Sequence, residues 1–124
     1  MKTTKGEYER FKGSFLKWQE KFSKLDYKIY FQHVVLVPND SYARIETNIT
    51  GRVATVNFNA NIDDDAYKEW EGPETSGRHE AIHLLIARLA WLGGCRYIDS
   101  EEIGEEDEAI VRILEKVLET EPAP

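Results

Sequence analysis

The first segment of the chain repeats large apolar residues at the spacing of a helix. Aromatic side chains recur at steps of three, four, three and four residues, with lysines between them: Tyr8, Phe11, Phe15, Trp18 and Phe22. Residues three and four apart share one face of an α-helix. The pattern therefore predicts an amphipathic N-terminal helix whose aromatic stripe packs in the core.

The next segment changes to the patterns of β-strands. Residues 27–37 are rich in β-branched and aromatic side chains, and residues 41–49 and 52–59 alternate between two sets of side chains. Turn residues separate the three runs, at Pro38-Asn39-Asp40 and at Thr50-Gly51. Because both connections are too short for a parallel crossover, we predict an antiparallel meander of three strands.

The second half of the chain predicts two long helices after a polar stretch. Residues 61–77 are mostly polar, with a helical turn expected around Tyr67 and Trp70. A second helix is predicted to begin at Thr75 or Ser76 and to end at Gly93-Gly94. Residues 81–92 are apolar on nearly every side, which favours a central, covered helix.

A third helix is predicted from Ser100 to Thr120, capped by Asp99 with Glu102 three residues on. The elements together predict one α+β domain over residues 1–124: a helix, a three-stranded antiparallel sheet and two further helices.

Composition and charge exclude several classes of protein. The chain has 124 residues, 41% of them hydrophobic, and a single cysteine, which excludes a disulfide scaffold. It has no apolar run long enough to cross a bilayer, and its basic start lacks the apolar segment of a signal peptide. We therefore expect a cytoplasmic protein without a membrane partner. The net charge of −7 argues against nucleic acid as the main partner, although residues 1–28 are locally basic.

The second predicted helix carries the motif His79-Glu80-Ala81-Ile82-His83. Histidines four residues apart lie on one helical face, where two imidazoles can bind one Zn²⁺. Glu80 can then exchange protons with a zinc-bound water as general base. Burying these groups in an apolar helix is costly unless a metal pairs them. The alternative is a half-exposed pair at the start of the helix, with Glu80 favouring the helix N-terminus.

A catalytic zinc usually needs a third protein ligand. His33, the remaining histidine, lies in a predicted strand, and Cys95 follows the end of the second helix. Projecting the apolar stripe of the third helix back by one turn from Ile110 gives Glu106, which is our choice of ligand. The other candidates are its two neighbours, Glu105 and Asp107.

The motif at residues 79–83, followed by Glu106 on a later helix, resembles the gluzincin branch of the zincin metallopeptidases. The size and element order are similar to those of short metallopeptidases encoded in phage and bacterial genomes. The resemblance implies a minimal zincin fold and a hydrolase that cleaves peptide or protein substrates. It also implies zinc ligands at His79, His83 and Glu106, a general base at Glu80, and a substrate-pairing edge strand at residues 52–59.

The chain departs from the larger gluzincins in two respects. They place an aspartate four residues after the ligand glutamate, where this chain has Ile110. They also use a histidine or tyrosine to stabilise the oxyanion, and the sequence leaves four candidates open: His33, Tyr42, Tyr67 and Tyr97. Two other functions are consistent with the pattern: a non-catalytic interaction protein on a zinc-stabilised scaffold, and an interaction domain without metal that uses the basic N-terminal helix.

Overall fold

The computed structural model describes residues 1–24, 26–95 and 99–120. Within these ranges the chain forms four helices and a three-stranded sheet, an α+β architecture as predicted. In chain order the elements are α1 (Lys5–Lys21), β1 (Lys28–Val34), β2 (Ala43–Asn48), β3 (Val53–Asn59), α2 (Asp64–Glu69), α3 (Pro73–Gly94) and α4 (Ser100–Thr120). No helix in these ranges has an apolar stretch that would cross a membrane.

The sheet is mixed, so the predicted antiparallel meander is wrong. The strand order is β1-β3-β2, with β3 antiparallel to β2 and parallel to β1. Short connections exclude parallel pairing only between strands that follow each other in sequence. Here β1 and β2 are not paired with each other, and β3 returns to lie between them. The predicted substrate-pairing strand, residues 52–59, is therefore the central strand, and β2 is an edge.

The core lies between one face of the sheet and helices α1 and α3. The aromatic stripe of α1 is confirmed as core, since Phe11 and Phe15 are fully buried and Phe11 stacks on Phe58 of β3. The opposite face of β1, which includes Tyr30, is exposed. Helix α4 adds Ile110 and Val117 to the same core.

Helix α3 begins earlier than predicted and is less covered than predicted. Gly72, in the left-handed region with a φ of 104°, precedes it, and Pro73 occupies its first turn. The helix approaches α1 closely at Gly77, where an added Cβ would lie 2.6 Å from the Phe11 carbonyl oxygen. Two of its large apolar side chains are exposed, Ile82 by 42% and Trp91 by 46%.

Helix α4 matches the prediction from Ser100 to Thr120. The Asp99 side chain accepts a hydrogen bond of 2.9 Å from the Glu102 backbone N–H, which is the predicted N-terminal cap. The predicted helical turn around Tyr67 is also present, as α2.

Candidate metal and catalytic site

The two histidines of the motif lie together on the second and third turns of α3. Their Nε2 atoms are 3.2 Å apart, and the rings meet edge to face with centroids 4.8 Å apart. Both side chains are exposed, so the expectation that they are buried is wrong. Within the part of the chain described, neither imidazole has another hydrogen bond.

Glu80 differs from its two histidine neighbours because it points to the covered side of the helix. The residue is only 5% exposed, and burial raises the pKa of its carboxyl group to about 7. The positive charge of Arg44 opposes this rise but does not cancel it. Among the described residues no hydrogen bond to this carboxyl group is found.

A cavity of about 330 Å³ brings the motif together with the start of β2. Its walls are formed by Ser76, His79, Glu80 and His83 of α3 and by residues 41–45. Helix α3 contacts β2 directly, which places the imidazole pair beside an edge strand. The sequence did not indicate Arg44, which follows Ala43 on this strand and lines the cavity.

Aromatic residues fix one wall of this cavity. The Trp70 indole N–H donates a 2.8 Å hydrogen bond to Ser76 Oγ, and the Tyr42 ring stacks on Trp70 at 5.6 Å. The Tyr42 hydroxyl donates to the Ala66 carbonyl oxygen at 2.8 Å. These contacts hold residues 41–43 against the N-terminal half of α3.

The four candidates for oxyanion stabilisation differ in where they lie relative to the cavity. Tyr42 lines the cavity, but its hydroxyl proton is given to Ala66. Tyr67 donates to Glu7 at 2.8 Å, and His33 lies on β1 beside Thr3. Tyr97 is outside the described residues.

Glu106 is buried on α4, as its place in the apolar stripe predicted, but it has a different partner. Its carboxylate accepts a 2.8 Å hydrogen bond from the Arg88 guanidinium of α3. The alternatives Glu105 and Asp107 are both exposed. Across residues 1–24, 26–95 and 99–120, no group of three His, Cys, Asp or Glu side chains is placed to hold a metal. The assignment of Glu106 as a ligand stays a prediction.

The imidazole pair nevertheless has the spacing of a zinc chelate. Two nitrogens that lie roughly 2.0–2.1 Å from one tetrahedral zinc ion are about 3.3 Å apart, close to the 3.2 Å between the two Nε2 atoms. The same distance also fits a hydrogen bond between the rings. Partial burial, with a smaller effect of His79, lowers the pKa of His83, which favours the neutral imidazole that metals bind.

Comparison with known proteins adds no assignment, because no protein-family model, no curated protein and no solved structure matches this chain. Function is therefore inferred from the chain's own residues.

Proposed function

We propose that this protein is a zinc-dependent peptidase in which His79 and His83 hold the metal and Glu80 is the general base. One observation carries the proposal: two imidazole nitrogens 3.2 Å apart share a cavity with a buried carboxyl group. A zinc ion on the pair would polarise a substrate carbonyl and lower the pKa of a bound water toward about 7.

Glu80 is suited to proton transfer because nothing else among the described residues uses its carboxyl group. It takes a proton from the attacking water and later gives it to the leaving amine. Substrate is proposed to lie along β2 rather than along residues 52–59, because β2 is the edge strand and its residues 43–45 line the cavity.

Glu106 is proposed as the third ligand on the sequence argument alone. Its carboxylate is held by Arg88, so binding to zinc would require it to exchange that guanidinium for the metal. The Arg88 guanidinium released by this exchange would be hydrated, since its side chain is 41% exposed.

The general base is tested by replacing Glu80 with Gln, which keeps the shape and removes the base. We expect peptide hydrolysis to fall by about 100-fold or more, as general-base variants commonly do, while zinc still binds. The matched control is Glu69→Gln on α2, which makes the same charge change at an exposed position away from the cavity. Unchanged hydrolysis in Glu80→Gln, or no hydrolysis by the zinc-loaded wild-type protein, would contradict the proposal.

The alternative of a zinc-stabilised, non-catalytic protein is less well supported. His79 and His83 lie on one helix, and Glu106 of α4 is already bonded to Arg88 of α3, so these two helices are held together without zinc. A structural zinc ordinarily contributes to folding by joining separate segments. On our proposal His83→Ala keeps its fold and loses zinc, whereas on the alternative the same variant unfolds. Metal analysis of the purified protein tests the third hypothesis, a domain without metal.

A further inference from the structure

A second cavity continues the first along the groove between α3 and β2. It measures about 400 Å³ and is lined by Ile45, Thr47 and Ile49 of the β2 side and by Ile86, Ala90 and Trp91 of α3. Ile45 and His83 line both cavities. The groove therefore leads directly away from the imidazole pair.

The walls of the groove are apolar and partly open to solvent. No side chain that lines it carries a formal charge when His83 is neutral. Trp91 is 46% exposed, and Ala90 beside it on α3 is also exposed. A clustered apolar surface of this kind is typical of a binding groove.

The β2 side of the groove is suited to an extended chain. Ile45 and Thr47 lie two residues apart on β2, about 7 Å along the strand, and Ile49 follows the end of the strand. The described strand partner of β2 is β3 on one side, which leaves the backbone groups of the other side available to a further strand. A peptide on this edge would pass His83 and then the apolar wall.

We infer that the α3–β2 groove is a specificity subsite for a bulky apolar side chain of an extended peptide, one to three residues from the cleaved bond. The position of this subsite relative to the cleaved bond rests on the proposed function. An extended peptide is the occupant because the groove combines a free strand edge with an apolar, uncharged wall and is continuous with the imidazole pair.

Binding is tested first without cleavage, on the full ¹⁵N-labelled chain in the presence of EDTA. The probes are two blocked pentapeptides, acetyl-Gly-Ala-Phe-Ala-Gly-amide and the same peptide with Ser in place of Phe. We expect the Phe peptide to bind at least about tenfold more tightly, since burial of one large apolar side chain is worth a factor of this size or more. Its chemical-shift changes should include Ile45, Ile49 and Trp91. Equal binding of the two peptides, or shift changes elsewhere, would overturn the inference.

A groove-filling variant provides the structural control. Ala90→Trp places an indole in the groove at an exposed position, and we expect it to weaken binding of the Phe peptide at least about tenfold. Leu16→Trp adds the same ring to an exposed apolar position of α1 that lines none of the cavities described, and should bind the peptide as the wild type does. Circular dichroism confirms that each variant is folded. Undiminished binding by Ala90→Trp would also overturn the inference.

Hydrolysis of the same peptides by the zinc-loaded protein separates the two proposals. Preferential binding of the Phe peptide without hydrolysis supports the groove and contradicts the peptidase. Hydrolysis of both peptides at equal rates, unaffected by Ala90→Trp, supports the peptidase and contradicts the groove.

Discussion

The three histidines of this chain lie in two contrasting environments. On β1, the His33 ring stacks on Tyr8 and is tilted against Phe58, with ring centroids 4.8 and 5.3 Å away, and its Nε2 is 2.6 Å from the Thr3 hydroxyl. That hydroxyl donates to the Asn59 carbonyl oxygen, so it accepts from His33 and fixes a proton on Nε2. On α3, His79 and His83 face a cavity, and each has only the other ring as a described hydrogen-bond partner.

Two glutamates that are buried among the described residues differ in the same way. Glu106 is paired with Arg88 across the α3–α4 interface, whereas the Glu80 carboxyl group has no described hydrogen bond and a raised pKa. Polar groups that stabilise a fold are normally satisfied by neighbouring groups, while groups held ready for a ligand are not. The contrast therefore separates structural polar residues from the candidate site.

The largest expected effect is on zinc affinity when one histidine at a time is replaced by Gln. His83→Gln leaves one imidazole of the chelate, and we expect zinc affinity to fall at least about 100-fold. His33→Gln removes a ring whose Nε2 is already bonded to Thr3, so zinc affinity should not change. Calorimetric zinc titrations of both variants measure the difference. Equal losses in the two variants would contradict the contrast between the two environments.

The next effect concerns the stability of the protein in EDTA. The Glu80 carboxyl group has a pKa of about 7 in the folded chain and near 4.5 when unfolded, so ionisation opposes folding. The contribution of Glu80 to the free energy of unfolding is therefore most favourable below pH 4.5, where the group is neutral in both states. This contribution falls as the pH rises from 4.5 and is lost once the pH passes about 7. Glu80→Gln should therefore unfold like the wild type at pH 4 and be more stable by about 3 kcal/mol at pH 8.

Urea denaturation at the two pH values measures this difference, with Glu69→Gln as the control for the loss of one negative charge. A variant that is equally stabilised at pH 4 and pH 8 would show that the burial of the Glu80 charge is not the cause.

The smallest effect tests the role of Glu106. If its carboxylate exchanges Arg88 for zinc, Glu106→Gln should lower zinc affinity about tenfold or more and also lower stability by about 1 kcal/mol through the lost hydrogen bond. Glu108→Gln is the matched control, since Glu108 pairs with Arg112 at the exposed surface of the same helix. Loss of stability with unchanged zinc affinity would show that Glu106 only pairs with Arg88.

The helices could be predicted from sequence because their signals are local. The aromatic stripe of α1 and the Asp99 cap of α4 each depend on residues within a few turns, and both are confirmed. Strand order depends instead on which distant segments pair. The insertion of β3 between β1 and β2 leaves no local signal in residues 52–59, so the sheet was predicted with the wrong pairing.

The site was predictable only to the extent that it lies on one helix. The spacing of His79 and His83 predicts that they share one face of the helix. Their exposure could not be predicted, because the apolar sequence of α3 indicated a helix that is covered on nearly every side. Arg44 reaches the cavity from a different element, β2, and the Glu106 carboxylate accepts a hydrogen bond from Arg88. Contacts between elements decide both, and neither has a spacing signal along the chain.

The central claim is that one metal ion joins the two imidazoles of α3. It is tested most directly by long-range ¹H–¹⁵N correlation spectra of the histidine rings during titration with zinc. We predict that the Nε2 signals of His79 and His83 shift together and that the shifts are complete at one equivalent of zinc. The Nε2 signal of His33, which is bonded to Thr3, should not shift. Shifts of only one α3 ring, or of none, would contradict the claim.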